Sequence, residues 1–364
     1  MRKLFILLIL FFFHYAHCKV INIKDLGAMG NGIFDNSNIF ISILKNIKNN
    51  ESYTIIIPEG TFLISNTIEL PQNVSIEGID PVISVLKMNT ANTAITILDN
   101  KKDNAYQYKF IRNLSIYGPE YGVNPFSWKN TQIVHNKSIG IKILGIRNRI
   151  ENCEVDGFST AGIQLISSYY NFINACFVKN NKYGIHISET STSTYITNSE
   201  FRFNSIAALI KNSYSIYMTD NILEANFSNF LDDNPDNTLS SGKALVLLNS
   251  NNNYIERNYF EEQYYNIILD QSNNNIFSSN FFAISTKMPE SVKKNQVTFV
   301  FKNNSSYNTI RDNNIESASK DIQKTEIIFD NTDFSTNSIN FNDDINSKLK
   351  NNWKNDSRKP VLKN

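Results

Sequence analysis

Gly140-Ile141-Lys142-Ile143, Gly162-Ile163-Gln164-Leu165 and Gly184-Ile185-His186-Ile187 are one short phrase repeated at intervals of 22 residues. Each sets a small residue before alternating apolar and polar positions. Ala208-Leu209-Ile210 and Ala244-Leu245-Val246-Leu247 continue the series. Roughly ten residues after each phrase comes a second motif, apolar-x-x-small/Asn-x-apolar. Its instances start at Ile150, Phe172, Ile196, Met218, Ile255, Phe277 and Ile310, at spacings of 22, 24, 22, 37, 22 and 33 residues. The two long gaps equal one ordinary repeat plus an insertion, near 226–242 and 284–295. Two short period-2 strands per repeat, without a 3.6-residue period, describe one coil of a parallel β-helix. One coil cannot bury its apolar strands alone, so each must stack on the next. A leucine-rich repeat has a similar length but needs a regular Leu-x-x-Leu-x-Leu frame, which is missing. The expected fold is all-β, a right-handed parallel β-helix with coils of about 22 residues.

Reading down the columns tests that register. Five residues after each start stand Val155, Phe177, Phe201, Leu223, Phe260, Phe282 and Ile315, an apolar stack. Three residues after each start stand Cys153, Ala175, Ser199, Asn221, Asn258, Asn280 and Asn313. The four asparagines predict an internal ladder. Asparagine tolerates a left-handed turn, and its amide can bond its counterpart one coil away. Upstream, Tyr53–Pro58, Thr61–Ser65, Asn73–Glu77 and Phe110–Tyr117 read as further strands. Between Tyr117 and Ser138 lies an irregular connection with Tyr121, Phe126 and Trp128, of the kind that carries function on a rigid scaffold.

The chain has 364 residues, 41% hydrophobic and 19% charged, too apolar for a disordered polymer. A net charge of +1 gives no field that would gather nucleic acid, and none is expected as a partner. Arg2 and Lys3 precede an apolar run from Leu4 to Phe13, and Ala16-His17-Cys18 supplies small residues for cleavage. Residues 1–18 therefore read as a signal peptide, too short to span a bilayer, with secretion to the extracellular space or periplasm as the expectation. No later segment is apolar enough to cross a membrane. Cys153 and Cys176 read as small core residues rather than a disulfide framework. The end, 346–364, is polar and lacks the repeat.

Residues 20–78 carry a family resemblance. Val20-Ile21-Asn22-Ile23-Lys24-Asp25-Leu26-Gly27-Ala28-Met29-Gly30-Asn31-Gly32-Ile33-Phe34-Asp35 resembles the opening of pectate-lyase-superfamily β-helix proteins, the group with rhamnogalacturonase- and epimerase-like domains. There a strand leads into Phe-Gly-Ala-x-Gly-Asp-Gly; here Leu26 replaces the aromatic residue and Asn31 the Asp. Ile55-Ile56-Ile57-Pro58-Glu59-Gly60-Thr61-Phe62 resembles the family's next segment, and Leu70–Gly78 the strand that closes it. The segment 19–78 is expected to form a cap. Its short helix, Asn36–Lys48, would cover the open end of the stack with Asp35 as N-cap acceptor, and 79–345 would be the β-helix proper. The glycines and Asp35 are assigned to structure; their order is not a dinucleotide fingerprint.

The resemblance implies a carbohydrate ligand, often an acidic polysaccharide, without fixing a reaction. Hydrolysis is the weaker expectation: Asp232-Asp233 precedes Asn331-Thr332-Asp333, the reverse of the polygalacturonase order, and neither Gly-His-Gly nor Arg-x-Lys follows. Lyase or epimerase chemistry needs a base beside a uronate carboxylate and a cation to neutralise that carboxylate. The strand after the coil-opening glycine turns Lys142, Gln164 and His186 outward on consecutive coils. Lys142 and His186 are the catalytic candidates, and Gln164 a contact. Arg147, Tyr169, Lys182, Tyr183 and Glu189 lie in the adjoining turns as candidate sugar contacts. His135 and His186 are the histidines outside the signal segment. Asp156, Arg202, Glu224 and Glu261 read as a ladder of surface charge pairs. No metal site or cofactor is expected; the acidic insertion with Asp232, Asp233 and Asp236 has no calcium-specific spacing. Two readings stay open: a lyase or epimerase acting on an acidic polysaccharide, and a non-catalytic glycan-binding or adhesin-type β-helix.

Overall fold

A computed structural model describes residues 18–49, 51–99, 109–122, 137–226, 238–284, 297–317, 326–341 and 354–355. The signal segment before Cys18, Phe126, Trp128, His135, the acidic insertion and most of 346–364 lie outside the described residues. The architecture is a right-handed parallel β-helix, and every strand pairing among the described residues is parallel. One coil shows the plan. Ala161–Ile166 forms face a, Phe172–Asn174 face b and Phe177–Lys179 face c, and Tyr183–Ser188 begins the next face a. Among the described residues face a stacks into a sheet of eleven strands. Faces b and c merge into one sheet because a single residue turns the corner between them.

That corner residue has left-handed backbone: Asn113, Asn152, Ala175, Asn198, Asp220, Arg257, Ser279 and Asp312 all have φ between 49° and 59°. The ladder residues stand immediately after it, so their side chains point inward rather than making the turn. Asn221, Asn258, Asn280 and Asn313 are at most 1% exposed. The Nδ2 of each of the first three donates to the Oδ1 one coil further on, at 2.9, 3.1 and 2.9 Å. Two further ladders were not foreseen. Asn253, Asn275, Asn308 and Asn337 are linked at 2.8, 2.9 and 3.0 Å. Asn181, Asn204 and Asn226 are linked at 3.1 and 3.2 Å. These ladders satisfy backbone groups that would otherwise be buried unpaired at the corners.

Two register expectations need correction. Ile150 pairs with Ile173, not Phe172, and Val155 with Val178, not Phe177. The spacing of 22 and 24 is therefore 23 and 23. Neighbouring apolar residues, Phe172-Ile173 and Phe177-Val178, let the larger ring claim the core position, but the pleat turns both phenylalanines outward. Cys176, not Ala175, follows Cys153 in the column; both are free thiols, 2% exposed. On face a, Ala208 aligns with Ile185, so Ala207 is the small residue that follows Gly184. A Cβ on Gly184 would lie 2.5 Å from the Ala207 carbonyl oxygen, which explains the small residue at this position. The remaining core column is as expected: Val155, Phe201, Leu223, Phe260 and Phe282 are 0–1% exposed, and Phe260 stacks on Phe282 at 4.8 Å.

The N-terminal segment is a cap. Its helix spans Ser37–Lys45, shorter than expected, and buries Ser37, Phe40 and Ile43. Asp35 Oδ1 accepts the Ser37 backbone N–H at 2.9 Å, and Ser65 also donates to this carboxylate. Partial burial pushes Asp35 up, but the hydrogen bonds from Ser37 and Ser65 outweigh it and hold the carboxyl below its ordinary range. Gly30 and Gly60 meet back to back; a Cβ on Gly30 would sit 2.9 Å from the Gly60 Cα. Gly27 and Gly32 have φ of 89° and 72°, the left-handed conformations that favour glycine.

Candidate functional site

The outward column of face a has the order expected. Lys142 pairs with Gln164 and Gln164 with His186, with Thr96 and Glu69 continuing the column towards the cap. Past His186 the column changes character: Leu209, Val246, Ile268, Val300 and Ile328 follow. Leu209, Val246, Ile268 and Val300 are at most 6% exposed and, with Ile206 and Val297, form a second hydrophobic cluster against which Tyr183, Leu239 and Tyr265 pack. An outward face on a β-helix is thus polar over only part of its length here. His186 stands at the boundary, and burial, together with the positive charge of Lys211, pushes it down to about 4. Gln164 Nε2 lies 3.2 Å from His186 Nδ1. With the amide as donor, Nδ1 accepts and Nε2 carries the proton; Nε2 has no partner among the described residues. The imidazole is neutral at physiological pH, and Tyr183 stands beside it with ring centroids 5.3 Å apart.

The candidate contact residues divide between the two edges of face a. Lys182 lies in the turn from face c and Tyr183 opens the face-a strand after it, with the Lys182 ammonium 5.5 Å from the Tyr183 ring centroid. Arg147, Tyr169 and Glu189 occupy the opposite turn, towards face b. There the Arg147 backbone N–H donates to the Tyr169 carbonyl at 3.3 Å, and the Arg147 guanidinium stands 5.5 Å from the Tyr170 ring centroid. An open hollow of about 280 Å³ lies at this edge, lined by Ser167, Tyr169, Thr190, Thr192 and Tyr214. Of the five, sequence reading singled out Tyr169. The others become visible once the parallel bridge from Tyr169 to Thr192 and the pairing of Thr192 with Tyr214 align three coils through an irregular turn.

Face c holds a second group of titratable residues. Asp156, Arg202, Glu224 and Glu261 do share a column, and Arg202 pairs with Glu200 and Glu224. Asp156 departs from the surface-ladder expectation because it is 2% exposed. Burial pushes its carboxyl up to about 6, against the opposing pull of the Asn180 amide at 2.9 Å and of Lys179. Lys179 Nζ bridges Glu154 at 2.8 Å and Asp156 at 3.8 Å. Tyr117, in the same column, stacks on Tyr121 at 3.8 Å, so the start of the irregular connection closes over this cluster. Among the described residues no group of three or more His, Cys, Asp or Glu side chains could hold a metal ion, and no helix is long and apolar enough to cross a membrane.

The comparisons with known proteins agree with this architecture. In fold, the chain is similar to DFA-IIIase from Arthrobacter chlorophenolicus A6 in complex with GF2, with a TM-score of 0.62 at 10% identity over 89% of this chain and 98% of that one. It is also similar to the enzymatically active domain of bacteriophage CBA120 tailspike protein 2, with a TM-score of 0.59 at 14% identity over 85% of this chain. The Dettilon tailspike protein gives 0.55 at 13% identity, over 89% of this chain and 68% of that one. The chain spans 47% of the CBA120 tailspike domain's length. No curated protein matches the sequence. Residues 20–230, more than half of the 364, match the family described as rhamnogalacturonase A/epimerase, pectate lyase-like. With its capped parallel coils, the chain belongs to that family of carbohydrate-active β-helix proteins.

Proposed function

We propose that the protein is secreted and acts on an acidic extracellular polysaccharide as a lyase or epimerase, with the polymer lying along Lys142, Gln164 and His186. The observation that carries this reading is the in-register column of a cation, an amide and a neutral imidazole on three consecutive coils. Such a column matches the period of a polymer better than a single cluster would. Lys142 pairs with a uronate carboxylate, which lowers the cost of removing the proton from the adjacent carbon. His186 takes that proton at Nδ1, in place of the hydrogen bond from Gln164. Elimination then forms a carbon–carbon double bond as the bond to the glycosidic oxygen on the next carbon breaks, and the departing oxygen takes a proton from water; epimerisation instead returns a proton to the opposite face. A second reading, glycan binding without turnover, is favoured by the engagement of His186 Nδ1 with Gln164, which leaves a buried N–H rather than a free lone pair.

Incubation with polygalacturonate, alginate and rhamnogalacturonan separates the cases. Elimination yields an unsaturated product that absorbs in the ultraviolet, and epimerisation alters sugar composition without cleavage. His186→Ala is expected to abolish turnover, while Lys142→Ala weakens binding of charged polymers in a salt-sensitive manner. Turnover retained in His186→Ala would refute its role as base. Binding without turnover in the wild type would establish the second reading.

A further inference from the structure

The aromatic residues at the a–b edge follow two different patterns. On face b, Phe172, Tyr195, Tyr217 and Tyr254 fall on consecutive coils and stack directly, with centroids 5.2, 4.7 and 4.9 Å apart and planes within 9°. That stack is closed: a ring on every coil leaves no space between ring faces, and only ring edges meet solvent. Three residues earlier on each coil, where the turn enters face b, the order is Tyr169, Thr192, Tyr214. A threonine takes the place of the middle ring, so the two tyrosines stand two coils apart, about 9.6 Å at the rise of a parallel sheet. The hollow of about 280 Å³ opens where the ring is missing. This spacing suits one flat ring held between two aromatic residues, and the volume suits one sugar ring rather than an oligosaccharide.

Its chemistry differs from that of the strip beside it. All five lining side chains are hydroxyl-bearing and uncharged: Ser167, Tyr169, Thr190, Thr192 and Tyr214. Thr190 donates to the Glu189 carbonyl at 2.6 Å, which leaves its oxygen lone pairs facing outward as acceptors. The hydroxyls of Ser167, Tyr169 and Tyr214 have no hydrogen-bond partner among the described residues. Ser167 and Thr190 have φ of 50° and 62°, left-handed backbone on successive coils. An aromatic-walled hollow with hydroxyl groups and no charge recognises a neutral polyol ring; a uronate would lose hydration there without gaining a cation.

We propose that this hollow is a subsite for one uncharged pyranose ring, gripped between Tyr169 and Tyr214. It rests on the reading of face a as a polysaccharide surface and adds that the bound glycan presents a neutral sugar at the a–b edge, beside the charged strip. The test uses Thr192→Tyr, which restores the missing ring and fills the hollow with the packing already present in the neighbouring stack, so the coil is kept. Ligand-observed NMR saturation transfer with methyl β-D-glucopyranoside, methyl β-D-galactopyranoside and methyl N-acetyl-β-D-glucosaminide is measured on the full chain. At least one glycoside is expected to bind, unaffected by added salt, and to weaken about tenfold or more in Thr192→Tyr and in Tyr214→Ala. Absence of transfer from all three, or transfer undiminished in Thr192→Tyr with an unchanged circular dichroism spectrum, would overturn the subsite. Polygalacturonate binding to the wild type, read in the same way, reports on the charged strip separately: it tests that reading whether or not the neutral glycosides bind.

Discussion

Asn258→Ala probes the internal ladder at an interior rung, bonded to the coils on both sides. Asn258 is 1% exposed, and its Oδ1 accepts the Asn221 backbone N–H at 3.0 Å and the Asn221 Nδ2 at 2.9 Å. Its Nδ2 donates to the Met218 carbonyl at 2.9 Å and to Asn280 Oδ1 at 3.1 Å. Truncation leaves two groups without partners, the Asn221 N–H and one Asn221 amide hydrogen; the Met218 carbonyl keeps its place in the strand ladder to the next coil. Asn280 Oδ1 keeps the Asn258 backbone N–H at 2.9 Å, and the other Asn221 amide hydrogen keeps the Ile196 carbonyl at 2.9 Å. A buried orphan costs about 1–3 kcal/mol, and a water entering the vacated space recovers part of it, so the expected loss for two is about 2–4 kcal/mol. The control is Asn249, exposed and bonded to Asn212 Oδ1 at 2.9 Å by the same amide pairing. Asn249→Gly keeps its left-handed backbone and is expected to change stability by less than about 0.5 kcal/mol. Urea unfolding followed by far-ultraviolet circular dichroism measures both, and faster hydrogen exchange at the Asn221 amide would localise the damage. A loss below about 1 kcal/mol for Asn258→Ala, or equal losses for the two variants, would refute the claim that burial gives the ladder its value.

Asp156→Asn is expected to stabilise. A carboxyl raised to about 6 in the folded chain, against 3.8 ordinarily, holds its proton more tightly when folded. Its contribution is therefore present below about pH 4 and lost as pH rises through about 6. The substitution should raise stability at pH 7 by up to about 3 kcal/mol and flatten the melting temperature between pH 4 and 6; an unchanged pH profile would show that Asp156 is solvated. Gly78→Ala should destabilise by about 1–3 kcal/mol or more, since its Cβ would lie 2.1 Å from the Asn113 carbonyl oxygen, a backbone atom that cannot swing away. A neutral result in a thermal melt would mean that this coil shifts freely.

The repeat was legible because stacking makes the sequence report the same environment many times. Ile185, Ile163 and Ile141 are apolar for one shared reason, and one of them would have been ambiguous alone. Register failed where that redundancy was lost: Phe172-Ile173 offers two apolar residues for one inward position, and only the pairing partners decide. The order of Lys142, Gln164 and His186 was legible for the same reason, but the state of His186 was not. It sits where the column turns apolar, paired with Leu209 and flanked by the Tyr183 ring, and neither neighbour is marked by the repeat. Asp156 illustrates the same gap: its charged neighbours in the column suggest solvent, whereas the stacked Tyr117 and Tyr121 remove it. The hollow at Thr192 escaped notice because it consists of a residue that is too small, and an absence leaves no motif.

The ladder counts coils, not residues. From Asn221 to Asn258 the chain runs 37 residues, from Asn258 to Asn280 it runs 22, and from Asn280 to Asn313 it runs 33, yet the amide contacts stay between 2.9 and 3.1 Å. Both extra lengths leave at the turn from face c to face a, as does the connection after Tyr117. This edge thus works as a splice point. New sequence can be grafted there at little more than the entropic cost of a longer loop, while a single residue added at the one-residue corner between faces b and c would throw every inward side chain of that coil out of phase.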